Sequence, residues 1–238
     1  MRLGMAWAVL TLAAAAAGPV VLAVLLSPVA ALAAAQTAFS WRRRPRRPAV
    51  AVAAAGAGLV AASSTLGLRA VIVAVLLVTA LLVLARAVAP SGRGRPGRAA
   101  PELTGLIAVG AGLAAASPVL LRSDGLVPAF VMLSFAHVYD AGAYVVGTGA
   151  RSPWEGTAAG VASIAAVTLA AAAVLVPPFR GFSPWLLGGL AALVTPLGPA
   201  AATAILGDKR RRTPALRRLD SLLVLAPVWT LAAALMLD

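Results

Sequence analysis

The chain contains no cysteine. Disulfides, thiolate catalysis and cysteine-ligated metals are therefore excluded. Acidic residues are also scarce, with seven Asp and Glu against 20 Lys and Arg in 238 residues. Carboxylate chemistry is thus confined to a handful of positions. No internal repeat is evident, which removes support for a transporter built from inverted halves. There is also no room for a separate soluble domain, because apolar runs fill almost the whole length.

What the sequence has in excess is apolar residues. They make up 61% of the chain, and the mean hydropathy is +0.96. A soluble domain is usually about half apolar. One globular core cannot bury this much apolar surface, so lipid is the expected solvent. The length allows roughly eight to ten spans of ~20 residues. The net charge of +13 would suggest a nucleic-acid partner in a soluble protein. Here the basic residues lie in short loops between apolar runs. They read as topological signals, with anionic lipid head groups as a secondary partner and no nucleic acid.

Apolar runs at 3–17, 20–40, 49–62, 68–88, 103–121, 126–147, 155–176, 184–206 and 219–237 predict nine transmembrane helices. The expected fold is all-α and polytopic, a multi-pass protein of the cell membrane. It forms a single membrane domain over 1–238, with basic-looped N-terminal spans in 1–101 and the chemistry-bearing region in 102–238. With the N-terminus in the cytoplasm, all of the 20 basic residues except Arg69, Arg122 and Arg180 fall on the cytoplasmic side. This division obeys the positive-inside rule.

The acidic residues cluster in a way the basic ones do not explain. Asp140, Glu155, Asp208 and Asp220 all fall toward the cytoplasmic ends of the last four spans. Each is affordable there as an interfacial residue. Together with arginines they are also the groups that hold a divalent cation and a phosphate, since Mg²⁺ takes one or two carboxylates plus substrate phosphates. His137 precedes Asp140 by three residues and shares its helical face; a hydrogen bond inside the bundle is its simplest role. Tyr139 and Tyr144 fit an interfacial aromatic belt, and Trp154 fits either that belt or a pocket wall. Gly142 and Gly147 fit close helix packing. Glu155 sits where the helix dipole favours a carboxylate. Lys209 and Arg210 read first as topological charges and second as contacts for a substrate phosphate.

Three short elements carry a resemblance: Asp140-Ala-Gly-Ala-Tyr144, Ser152-Pro-Trp-Glu-Gly156, and Arg218-Leu-Asp-Ser-Leu-Leu223 followed by Ala226-Pro227. In this order, over about 137–230, the chain resembles the phosphatidate cytidylyltransferases (CDP-diacylglycerol synthases). The resemblance implies that CTP and phosphatidate give CDP-diacylglycerol and pyrophosphate, with Mg²⁺. It implies catalytic roles for Asp140, Glu155, Arg218 and Asp220, substrate contacts for Ser152 and Trp154, and metal ligation by Asp140 and Asp220; outside the resemblance, Lys209 and Arg210 are candidate substrate contacts and Asp208 a candidate substitute metal ligand. A homodimer is a further expectation. Two acidic positions of the family pattern carry other residues here, Pro199 and Arg217, and the paired lysines between Ser-Pro and Thr-Trp are absent. The alternative expectation is therefore a non-catalytic homologue that binds lipid or a partner membrane protein.

Overall fold

The structure is a computed structural model and describes residues 2–44, 47–88, 100–208 and 212–237. Among these residues there is no strand, and the helices follow the apolar runs. Helices α1 (Arg2–Ala17) and α2 (Pro19–Ser40) are followed by α3 (Val50–Ser63), a 3-10 turn (Ser64–Leu66) and α4 (Leu68–Val88). Then come α5 (Pro101–Asp124), α6 (Leu126–Gly147), α7 (Pro153–Val174), α8 (Ser183–Val194) and α9 (Leu197–Ala204). A second 3-10 turn (Leu216–Arg218) leads into α10 (Leu222–Met236). The run 3–40 forms two helices rather than one. Gly18 separates them with φ 137°, a conformation that favours glycine, and Pro19 starts α2 at a position where its missing N–H costs nothing.

Among the described residues six helical segments are long and apolar enough to cross a membrane: Pro19–Ser40, Leu68–Ala87, Pro101–Asp124, Leu126–Gly147, Trp154–Val174 and Ser183–Ala204, the last made of α8 and α9 together. The apolar helices Leu3–Ala17, Val50–Leu66 and Leu222–Met236 are shorter. Helix α5 is the centre of the bundle and touches α2, α3, α4, α6 and α10. Small residues let it do so. A Cβ on Gly112 would stand 2.7 Å from Val60 Cβ on α3, the kind of close approach that replaces hydrophobic driving force in lipid. By contrast α4 leaves Leu76, Leu77, Leu81 and Leu84 exposed, as expected of a peripheral helix in hydrocarbon.

The predicted span at 184–206 is interrupted at Thr195-Pro196, which divides it into α8 and α9. Trp229 of α10 is fully buried and donates its indole N–H to the Leu187 carbonyl of α8 at 3.1 Å. It meets Phe135 of α6 edge-to-face with centroids 6.1 Å apart. Beyond α9 the chain returns across the end of α2. The Trp41 indole donates to the Ile205 carbonyl at 2.8 Å, the Arg44 guanidinium donates to the Gly207 carbonyl at 3.1 and 3.2 Å, and Ala215 N–H donates to Gln36 Oε1 at 3.0 Å. These contacts fix the segment that delivers Arg217, Arg218 and Asp220.

Candidate functional site

Helices α6 and α7 pack unusually closely at the end that bears the sequence elements. A Cβ on Gly142 would overlap Ser163 Oγ, and one on Gly156 would lie 2.8 Å from the Ala143 carbonyl oxygen. Gly160 sits against the Tyr139 ring and its carbonyl oxygen, both within 2.9 Å of where a Cβ would be. The glycines of Asp-x-Gly and Trp-Glu-Gly are thus where two backbones meet. The turn between them is closed by a capping box. Ser152 Oγ accepts from Trp154 N–H at 3.4 Å, and Glu155 Oε1 accepts from Ser152 N–H at 2.9 Å.

Beside this seam lies a cleft of about 1040 Å³. Its walls come from five places in the chain: the start of α1, the end of α6, the loop into α7 with the first turn of that helix, the first turn of α9, and the segment before α10. Asp140, Ser152, Arg217, Arg218 and Asp220 all line it, together with His137, Tyr139, Tyr144 and Arg151. Pro199 lines it too.

One residue joins the two carboxylates. Ser221 Oγ donates to Asp140 Oδ2 at 3.1 Å, and Ser221 N–H donates to Asp220 Oδ1 at 3.0 Å. Arg217 Nη1 reaches Asp220 Oδ2 at 3.4 Å. Asp220 is buried, whereas Arg217 is largely exposed, so this pair is a partly solvated one. Burial pushes the Asp220 carboxyl above the usual carboxylate range, and the Arg217 charge and the Ser221 N–H pull it back. The Asp220–Ser221 backbone is held by α9. A Cβ on Gly198 would overlap the Asp220 carbonyl oxygen. His137 lines the cleft with its Nε2 hydrogen-bonded to the Thr11 hydroxyl at 2.7 Å, which ties α6 to α1.

Several expected site residues stand elsewhere. Trp154 is 74% exposed and is not part of the cleft wall. Glu155 is engaged in the capping box, which by itself accounts for a carboxylate at that position. Asp208 follows Gly207, whose N–H donates to Ser40 Oγ at 3.0 Å, and so lies by the end of α2 rather than in the cleft wall. Lys209 and Arg210 lie outside the described residues. Sequence reasoning gave no role to Ser221, Arg151 or the first helix. Ser221 had a signal, since a hydroxyl follows Asp220 directly. The first helix had none, because its contacts with α6 span more than 100 residues of sequence.

The donor set bears on Mg²⁺. Among the described residues no three His, Asp or Glu side chains gather into a group able to hold a metal ion. Asp140 and Asp220 alone fit an ion that arrives with nucleotide phosphates completing its shell, not one caged by protein ligands.

No family model matches the chain, and neither a curated protein nor a solved structure matches it.

Proposed function

We propose that the protein is a multi-pass membrane protein of the phosphatidate cytidylyltransferase type, binding the phosphate of phosphatidate in the cleft between α1, α6 and the segment before α10. The reading rests on one observation: residues of all three resemblance elements, 80 positions apart at the extremes, line one cleft. Nine spans with the N-terminus in the cytoplasm put this cleft at the cytoplasmic face of the cell membrane, where the basic loops also lie. The volume accommodates a lipid head group. Arg151, Arg217 and Arg218 supply charge for a phosphate, with arginine forks suited to its oxygens.

In the reaction implied by the resemblance, an oxygen of the lipid phosphate attacks the α-phosphorus of CTP. The bond from that phosphorus to the bridging oxygen breaks, and pyrophosphate leaves. Arg218 and Arg217 would orient the lipid phosphate. Ser221 holds Asp140 and Asp220 side by side. Those two carboxylates would hold Mg²⁺, which when bound neutralises charge on the phosphates.

A second reading is favoured by a specific feature. Pro199 and Arg217 stand at two acidic positions of the resembled pattern, and both line the cleft. Replacing carboxylate by guanidinium favours a bound anion over a bound cation, which suits a non-catalytic protein that holds a lipid phosphate without metal.

The test is CTP-dependent conversion of phosphatidate by the purified protein in detergent, with and without Mg²⁺. Metal-dependent CDP-diacylglycerol, lost in Asp140→Asn and Asp220→Asn, supports the transferase. Phosphatidate binding without turnover supports the second reading. Neither binding nor turnover, from folded protein, rejects both.

A further inference from the structure

A second cavity adjoins the cleft. It is a groove of about 600 Å³ on the exposed side of the α6–α7 pair. The half-buried Val138, Gly142, Ser163 and Val167 make its floor, and the exposed Ala166 and Ala170 stand at its edge. On α7 these positions are three or four residues apart and share one helical face. Among the described residues no charged side chain lines the groove. Its one polar side chain, Ser163, donates its hydroxyl to the Ala159 carbonyl at 2.9 Å, so that proton is already bound within the helix.

The groove starts where the cleft stops. Ala141 and Val145 of α6 line both. An alanine side chain is a single methyl group, so at Ala141 the two spaces lie within one residue's width of each other. Along α7 the cleft takes Gly156 and Thr157, and the groove begins at Ala159. From Ala159 to Ala170 the helix rises about 16 Å, at about 1.5 Å per residue. This length lies inside the apolar segment Trp154–Val174, which is long enough to cross a membrane. Asp140, Arg151, Arg217, Arg218 and Asp220 all line the cleft, and none of them lines the groove. The two cavities together are therefore charged at one end and apolar along the span, the same order of parts as in a phospholipid.

We propose that one acyl chain of the phospholipid whose phosphate lies in the cleft runs along this groove, from Ala159 to Ala170. This rests on the lipid-phosphate reading above and adds to it a binding site for the chain. Small residues make the site. Gly142 lets α6 and α7 meet at its floor, and Ala141, Ala166 and Ala170 leave the space open where larger side chains would fill it.

The full-length protein in detergent is titrated with dioleoyl phosphatidate and with dioctanoyl phosphatidate. An extended chain advances about 1.2 Å per bond, so an octanoyl chain spans roughly 8 Å and an oleoyl chain roughly 20 Å. The short chain stops before Ala170 and the long one passes it. Ala170→Phe fills the far end of the groove, and Ala165→Phe adds the same ring to α7 outside it. Both positions are exposed, so neither ring is forced into the core. Each variant is compared with wild type lipid by lipid, which cancels the partition of that lipid into detergent. Ala170→Phe is expected to weaken dioleoyl phosphatidate at least about fivefold and to leave dioctanoyl phosphatidate unchanged. Ala165→Phe is expected to change neither. Equal weakening of both lipids in Ala170→Phe overturns the proposal, as does equal weakening of the long lipid in both variants. Unchanged binding of both lipids in Ala170→Phe also overturns it, and an altered oligomeric mass in that variant then assigns the groove to a second copy of the chain. A wild type that binds neither lipid removes the lipid-phosphate reading itself, and this proposal with it.

Discussion

Gly198→Ala probes the packing that holds one half of the cleft. Gly198 is in the first turn of α9. A Cβ there would overlap the Asp220 carbonyl oxygen, and it would stand 3.1 Å from the Asp220 carbonyl carbon and 3.2 Å from Ser221 Cα. All three are backbone atoms, so no change of rotamer relieves the contact. Either α9 retreats or the Asp220–Ser221 segment moves away. Overpacking of this kind costs about 1–3 kcal/mol. The Ser221 hydroxyl moves with its backbone, and at 3.1 Å from Asp140 Oδ2 it has little distance to lose. Breaking that bond beside a buried carboxylate adds about 1 kcal/mol. The sum is roughly 2–4 kcal/mol, which for a chain of this size lowers Tm by roughly 4–16 °C. Gly189→Ala is the control. Nothing lies within 4 Å of its added Cβ, and alanine favours helix α8. The assay is thermal denaturation in detergent of both variants, followed by phosphatidate titration. Gly198→Ala should melt well below Gly189→Ala and bind lipid more weakly. Equal melting of the two variants, with lipid binding intact, would refute the tight contact between α9 and the Asp220–Ser221 backbone.

Other outcomes follow from the same geometry. Ser221→Ala removes the donor to Asp140 and should cost about 1–3 kcal/mol, measured as a lower denaturation midpoint at neutral pH. Glu155→Ala should lose about 1 kcal/mol of helix capping, while Glu155→Gln keeps phosphatidate affinity; a loss of affinity or turnover in Glu155→Gln would instead give Glu155 a direct role. Burial raises the Asp220 pKa in the folded state, so the folded form binds its proton more readily than the unfolded one. By linkage its ionised form destabilises the fold above the raised pKa, and the penalty is relieved as pH falls toward the ordinary value of 3.8. Melting midpoints across that window should therefore rise more toward acid in wild type than in Asp220→Asn, and parallel profiles would contradict the assignment. Trp229→Ala removes a fully buried indole that also bonds Leu187, and should cost about 3–5 kcal/mol, seen as loss of the monodisperse species on heating.

A helical chain dominated by apolar runs is legible from residue order alone. Its hydropathy leaves no other solvent than lipid, and Gly18-Pro19 is a local break whichever way the helices pack. The Ser152–Glu155 spacing likewise dictates a helix start, because capping is an interaction over three residues. Asp140 and Asp220 were legible as site candidates because carboxylates are so few. Which of the acidic residues share a site depends on how the helices pack. Asp208 is as close in sequence to Asp220 as any candidate, yet the contacts of Gly207 with Ser40 and Arg44 hold it by α2. Asp140 and Asp220, 80 residues apart, are joined instead through Ser221. The role of α1 was hidden for the same reason. Thr11 looks like any residue of an apolar run, and what distinguishes it is His137 on the helix packed opposite. Periodicity and capping are local and are written in neighbouring residues; a cleft built from five separate segments is a property of packing, and packing joins residues that the chain keeps far apart.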